Sequence, residues 1–269
     1  MEKINLLNAQ IDNLTQLELL EALRSGGVVF TPNVAHLVTL QQRPEFYQAY
    51  QSADYQICDS QLVRFAAQLL GTPIREKISG SDLFPAFYRY FAQDRGTTIF
   101  LLGAAAGVAQ RALQRINQQV GRAIIVQAHS PSFGFERDAA ECERLIALIN
   151  ASGATVLAMG VGSPKQELWI AQYKDRLPQV KTFLAIGATI DFEAGNVQRA
   201  PKWMSEVGLE WFYRLLKEPR RLWKRYFGDA LPFATLIWQQ ATDRYQNPWS
   251  SDDRTKSPLS YQKDLVRQY

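Results

Sequence analysis

Residues 155–221 read TVLAMGVGSPKQELWIAQYKDRLPQVKTFLAIGATIDFEAGNVQRAPKWMSEVGLEWFYRLLKEPRR. Two apolar runs in this stretch, 155–159 and 182–186, do not alternate, and each is followed by glycine. Strands buried on both faces of a parallel sheet have that pattern. Between them Ser163-Pro164 opens a helical pattern, with Pro164 expected at the first helical position, where its missing N–H costs nothing. The order is strand, glycine turn, helix, strand, glycine turn. In open parallel sheets ligands collect beyond the carboxyl ends of the strands, where both turns would lie. Past them the composition changes, and Trp, Arg and Lys accumulate.

The same alternation extends back to Val28. Strands are expected at 28–31, 55–58, 97–102 and 123–127. Helices are expected at 11–24, from 34 onward, and at 45–53, 61–70, 83–92, 108–120 and 139–152. Helix 11–24 would bury a stripe of Leu14, Leu17, Leu20 and Leu23. Ser79-Gly80-Ser81-Asp82 is expected to cap the helix that follows it. The unit 97–127 is the clearest Rossmann-like piece. The expected class is therefore α/β, a Rossmann-like, doubly wound, mostly parallel sheet with helices on both faces. A helical membrane-targeting appendage would follow it. The chain divides into a core at 1–200, a basic and aromatic helical appendage at 201–245, and a poorly ordered tail at 246–269.

The chain of 269 residues is 46% hydrophobic with a formal net charge of +4, enough for one large α/β domain. Its only cysteines are Cys58 and Cys142 and its only histidines His36 and His129. A disulfide scaffold, a zinc site or a histidine-rich metal centre is not expected, nor is a cofactor. A reducing cytoplasm suits such cysteine usage. The first ten residues have no apolar core, and no run of about 18 apolar residues occurs, so neither a signal peptide nor a membrane span is expected. Arg214, Lys217, Arg220, Arg221, Lys224 and Arg225 crowd one segment and interleave with Trp211, Phe212, Leu215, Leu216 and Leu222. Pro219 is expected to start a second helix there. An amphipathic basic and aromatic segment suits an anionic membrane surface better than a plain solvated face. No nucleic-acid partner is expected, because +4 is modest and no such motif occurs. Exposed apolar residues on the appendage could drive a homo-oligomer, a dimer or trimer.

Turns at strand ends supply the candidate chemistry. Asp59 could act as a general base or merely cap the helix from Gln61, the simpler reading of a lone Asp. Thr31 and Asn33 could orient a ligand hydroxyl or only shape the turn at Pro32. The stretch from Gly103 to Gly107 could bring N–H groups to a phosphate, with tight packing an equal alternative. Gly162, Lys165 and Gln166 lie in a glycine turn and the first turn of the helix after it, within reach of a phosphate or sugar hydroxyl. Asp191 after Gly187 could bind a ribose or base edge, or cap a turn near Gly195. On these residues alone a nucleotide-dependent oxidoreductase stays open beside a transferase.

Taken together, Gly162-Ser-Pro-Lys-Gln-Glu167, Gly187 to Phe192, Ala194-Gly195, Arg199-Ala-Pro-Lys-Trp203 and Gly208-Leu-Glu-Trp-Phe-Tyr-Arg214 resemble the WecG/TagA/CpsF family of bacterial glycosyltransferases. Ser79 to Asp82 and the turn from Thr31 to Asn33 match as well, and the resemblance runs over about 4–226. It implies an inverting, metal-independent transfer of an N-acetylmannosamine-like sugar in cell-surface polysaccharide synthesis. The donor would be a UDP-sugar and the acceptor a polyprenyl-diphosphate-linked sugar. It also implies a cytoplasmic protein, peripheral on the inner face of the plasma membrane. By that likeness Asp59 is the base and Thr31 and Asn33 contact acceptor or sugar. Lys77 and Gln166 lie near the sugar, and Gly134, Phe135 and Asp191 near the nucleotide. Arg214, Arg221 and Lys224 would meet the diphosphate. Three positions depart from the family pattern: Ser60-Gln61 after the aspartate, Lys77 where Arg is usual, and Phe135 where Tyr is common. Lysine cannot make the bidentate fork of arginine.

Overall fold

A computed structural model describes residues 2–197 and 219–250, without the side chains of 219–227. Lys3–Leu6 (β1) and Ala9–Asp12 (β2) form an antiparallel hairpin. There follow Gln16–Ala22 (α1), Gly27–Phe30 (β3), Val34–Gln42 (α2), Pro44–Gln51 (α3), Tyr55–Gln56 (β4), Gln61–Leu69 (α4) and Gly80–Tyr90 (α5). Next come Ile99–Gly103 (β5), Val108–Val120 (α6), Ile125–His129 (β6), Ala139–Ser152 (α7) and Val156–Gly160 (β7). Lys165–Tyr173 (α8), Thr182–Ala185 (β8), Thr189–Glu193 (α9) and Pro219–Ala241 (α10) complete the described elements.

Six strands form one sheet in the order β4-β3-β8-β7-β5-β6, every pairing parallel. Successive side chains of a strand point to opposite faces, and here both faces are buried. Val28, Phe30, Phe100, Leu102, Leu157, Met159, Phe183 and Ala185 enter one core with residues of α2, α3, α7 and α8. Val29, Ile99, Leu101, Val156, Ala158 and Leu184 enter the other with residues of α1, α5, α6 and α9. That is why the strands read as unbroken apolar runs.

The N-terminal reading needs correction. The expected helix 11–24 is β2 followed by the shorter α1. Thr15 and Glu18 make a capping box, each satisfying the other's backbone N–H, which fixes the helix start after Thr15. Leu17, placed on the buried stripe, is 57% exposed, and Leu19 takes its place. The hairpin docks on the sheet edge: Asp12 Oδ2 accepts from Gln56 N at 2.8 Å, and Gln56 Oε1 from Gln10 N at 3.2 Å. An edge strand is thereby covered.

The C-terminal part of the described chain is bound into this core. Phe233 is buried, and Leu236 and Ile237 pack on the same cluster as Leu37 and Leu40 of α2. Gln240 uses both ends of its amide on the β1–β2 turn, with Oε1 accepting from Leu7 N at 2.8 Å and Nε2 donating to Asn5 O at 3.1 Å. Tyr245 donates to Gln41 Oε1 at 2.7 Å, and Trp249 Nε1 to Leu40 O at 2.7 Å. Hydrogen bonding thus continues to Ser250, past the expected start of the tail at 246. The segment from Gly228 onward is not a loosely attached helix. The first eighteen residues of the appendage expected at 201–245, 201–218, lie outside the described residues.

Candidate functional site

From β3 to β6 each strand sends its connection to the opposite face from its neighbour's, and at two of these places, where open parallel sheets hold their ligand crevices, the motif residues gather. Between β5 and β7, the chain leaves β5 for α6 on one face and β7 for α8 on the other. Between β3 and β8, the neighbouring exits lead to α2 and α9, again on opposite faces. The expected site residues from Thr31 to Asp191 belong to segments around this end of the sheet.

The first crevice is floored by backbone. Gly103 has φ +139°, and a Cβ there would collide with the Gly160 carbonyl. A Cβ on Gly160 would in turn stand 2.5 Å from Gly187 O. The ends of β5 and β7 and the turn after β8 thus pack through their glycines, a close approach of strand ends rather than of helix on strand. Gly162 and Gly134, at φ +85° and +84°, have open space where a side chain would be. Gly107 starts α6 without a side-chain cap, leaving N–H groups of the first turn for an anion. Ser130 Oγ donates to Gly103 O and Ala105 O at 3.1 and 2.9 Å and fixes that turn.

Lys165 is the first residue of α8; Pro164, expected inside the helix, stands just before it as the N-cap. The Lys165 ammonium pairs with Glu136 at 3.2 Å and lies 4.7 Å over the fully exposed ring of Phe133. Phe135 turns the other way, into the core, where its carbonyl accepts from Cys142 Sγ. The exposed aromatic of this loop is Phe133, while Phe135, expected near a nucleotide, is buried. A Gly134 φ in the left-handed region reverses the chain between them.

Gln166 is also buried. Its Oε1 accepts from Gly187 N at 3.1 Å, and its Nε2 donates to Glu167 Oε1 at 2.8 Å. Glu167 is fully buried, and Oε2 has no hydrogen-bond partner. Burial pushes its carboxyl up to about 7, against opposing bonds from Gln166, its own backbone and Ser163. Glu167 carries the same spacing as Ile170 on the buried side of α8. That spacing is the signal by which a carboxylate facing inward could have been found.

Asp191 sits within α9, and its carbonyl accepts from Asn196 N at 3.0 Å and Val197 N at 3.4 Å. Its backbone thus closes the turn at Gly195, while its half-buried side chain stays at the β8 end.

The second crevice is lined by side chains. Thr31 follows β3 and is buried. Asn33 caps α2, its Oδ1 accepting from His36 N at 3.2 Å. Asp59 N donates to Pro32 O at 3.0 Å, which holds Asp59 beside that turn. The cap of α4 is Ser60, whose Oγ accepts from Val63 N. Asp59 is therefore released from the capping role that was its simpler explanation. Ile78 N donates to Cys58 O at 2.8 Å and brings the next loop alongside. There Lys77, largely buried, pairs with Asp82 at 3.1 Å, and Ser79 caps α5. Gly80 lets α5 approach Ile186 at the end of β8, where a Cβ would be 3.1 Å from the Ile186 Cα.

Behind this crevice His36 Nδ1 and the Tyr50 hydroxyl are 2.6 Å apart. Burial first, then the charges of Glu167 and Asp59, push the Tyr50 phenol well above its ordinary value. Both carboxylates thus act on one buried phenol through their charge. Burial likewise pushes the Cys58 thiol up to about 12, so it stays protonated and unreactive. Both cysteines are free and buried.

Arg214 lies outside the described residues. Arg221 and Lys224 lie on α10, but their side chains are not among those described. Among the described residues, no group of three or more His, Cys, Asp or Glu could hold a metal ion, and no helix is long and apolar enough to cross a membrane.

Comparison with known proteins bears on residues 4–247, which match the model of the glycosyl transferase WecG/TagA/CpsF family. The chain is 30% identical over 200 residues, 74% of each protein, to the N-acetylglucosaminyldiphosphoundecaprenol N-acetyl-beta-D-mannosaminyltransferase of Bacillus spizizenii. A match over nearly the whole described chain, on a sheet whose paired crevices gather the motif residues, makes the protein a member of the WecG/TagA/CpsF family of glycosyltransferases.

Proposed function

We propose that the protein transfers an N-acetylmannosamine-like sugar from a UDP-sugar to a polyprenyl-diphosphate-linked acceptor, with inversion and with Asp59 as general base. The observation that carries this reading is the second crevice. Asp59 is tied to the Thr31–Asn33 turn, while the neighbouring helix takes its cap from Ser60. The named relative makes a beta-mannosaminyl linkage on a diphosphate-linked lipid sugar, which supports the same substrate classes here.

In this mechanism the acceptor hydroxyl attacks the anomeric carbon while Asp59 takes its proton. The carbon–oxygen bond to the diphosphate breaks, and UDP leaves with the electron pair. Charge developing on the diphosphate meets the N–H groups at the start of α6 and Lys165, and the basic residues Arg214, Arg221 and Lys224 are proposed to join them. Thr31 and Asn33 orient the acceptor, and Lys77 orders the loop beside the sugar. The basic stretch 201–227, the part of the expected appendage ahead of the core-bound residues, is proposed to bring the chain to an anionic membrane as a peripheral protein on the cytoplasmic face and to close over the diphosphate.

Asp59→Asn tests the assignment. Turnover of a UDP-sugar with a soluble diphospholipid acceptor should fall about 10²–10⁴-fold, while UDP binding by calorimetry stays near wild type. A variant with wild-type turnover removes Asp59 from the role of base. For the basic segment, the combined reversal Arg214→Glu, Arg221→Glu and Lys224→Glu should abolish co-sedimentation with anionic vesicles, and unchanged co-sedimentation would refute the membrane role.

A further inference from the structure

We propose that Glu167 is a positioning residue for the donor: it touches no substrate, but its buried carboxylate fixes the amide of Gln166, and Gln166 fixes the Gly187 turn. The inference rests on the reading of the glycine turns as the donor site. Its basis is the chain of bonds itself. Glu167 Oε1 accepts from Gln166 Nε2 at 2.8 Å, and Gln166 Oε1 accepts from Gly187 N at 3.1 Å. An amide side chain can be turned end for end with little change of shape, and only its partners decide which end faces where. The Glu167 oxygen that faces Gln166 accepts, so it selects the Nε2 end, and the carbonyl end is left for Gly187.

Gly187 is where that choice matters. It follows β8 and packs its carbonyl against Gly160, which packs against Gly103. At φ +55° it has no side chain of its own to hold its conformation. Gln166 therefore anchors a turn shared by three strands, and Glu167 holds the anchor. A leucine of similar size packed in this place would cost less than an enclosed carboxyl with one oxygen unpaired. A carboxyl retained at such a cost is accounted for by the bond it makes.

Glu167 also bears electrostatically on the residues packed against α2. Its charge reaches Tyr50, whose hydroxyl meets His36, and His36 belongs to the helix capped by Asn33.

The test compares Glu167→Gln, which keeps an oxygen for Gln166 Nε2, with Glu167→Leu, which does not. Amide hydrogen exchange at Gly187 is measured without donor, alongside KM and kcat. Glu167→Leu should speed exchange at Gly187 and raise the donor KM about tenfold with kcat changed far less, the loss of one buried hydrogen bond. Glu167→Gln should restore both. Unchanged exchange and KM in Glu167→Leu overturn the proposal. So does equal damage in both variants with equally lowered Tm, which is a packing role. If the wild type binds no UDP-sugar, the donor reading fails while the exchange measurement still decides what holds Gly187.

Discussion

The two crevices are built by different means. Between β5 and β7 the walls are backbone: Gly103, Gly160 and Gly187 pack through the space where side chains would be. Between β3 and β8 they are side chains, with Thr31, Asn33, Asp59 and the Lys77–Asp82 pair brought together from three separate loops. A backbone wall presents N–H groups and close approach and suits a diphosphate, whose oxygens ask only for donors. A side-chain wall can place a base at one atom and suits the hydroxyl that must lose a proton. Substitution therefore does different harm on each side. On the glycine side it breaks the fold before the chemistry, and on the Asp59 side the chemistry before the fold.

The sharpest break of that contrast is Asp59→Asn itself, which should lower turnover by orders of magnitude with Tm almost unmoved. Next is Gly103→Val. With φ at +139° and the Gly160 carbonyl in the way, it should cost about 4 kcal/mol or more in denaturant unfolding; a cost below about 1 kcal/mol would mean the turn adapts and the glycine serves a ligand. Third is the pH dependence of stability, which links the halves. Glu167 holds its proton up to about 7, while its ordinary value is 4.5. Between these values the folded chain keeps a proton that the unfolded chain has lost, so stability falls as pH rises. Urea unfolding at pH 5 and pH 8 should differ by at most about 3 kcal/mol from this group, and Glu167→Gln should remove that part. The mildest test is Asn33→Ser. It keeps the cap, so stability should stay within about 0.5 kcal/mol, while a turnover about tenfold lower marks Asn33 as an acceptor contact as well.

Regular elements were legible where end signals are strong. Helices 108–120 and 139–152 appear residue for residue as expected, because Gly107 and Gly121 bound one and Asp138 and Gly153 the other. The 11–24 stretch misled, since Ile11, Leu14 and Leu17 suit a helical stripe as well as they suit a hairpin and a capped turn. Only pairing with β1 and docking on β4 decide between them, and neither is local. Asp59 shows the same limit at the site. Asp59 and Ser60 are both good caps, and which one serves is settled by where β4 ends and by the tie to Pro32. Phe135 and Gln166 were placed by position along the chain, whereas their inward direction comes from the tertiary fold. Glu167 escaped assignment because a carboxylate in a first helical turn ordinarily faces solvent.

The grip of Gln240 and Trp249 on the other end of the chain bears on how the protein can be cut and made. Ribosomes release the hairpin and α2 first, and the residues that brace them, Phe233 to Trp249, more than 180 residues later. The Asn33 turn sits on a helix that waits for its support until translation is nearly over. A stop codon placed before the basic segment would remove that support along with the basic charge, uncovering Leu7 N and Leu40 O at the same time. Loss of membrane contact in such a truncation would then be inseparable from loss of the α2 brace. An internal excision or charge reversal that leaves 228–250 in place is the cut that separates them.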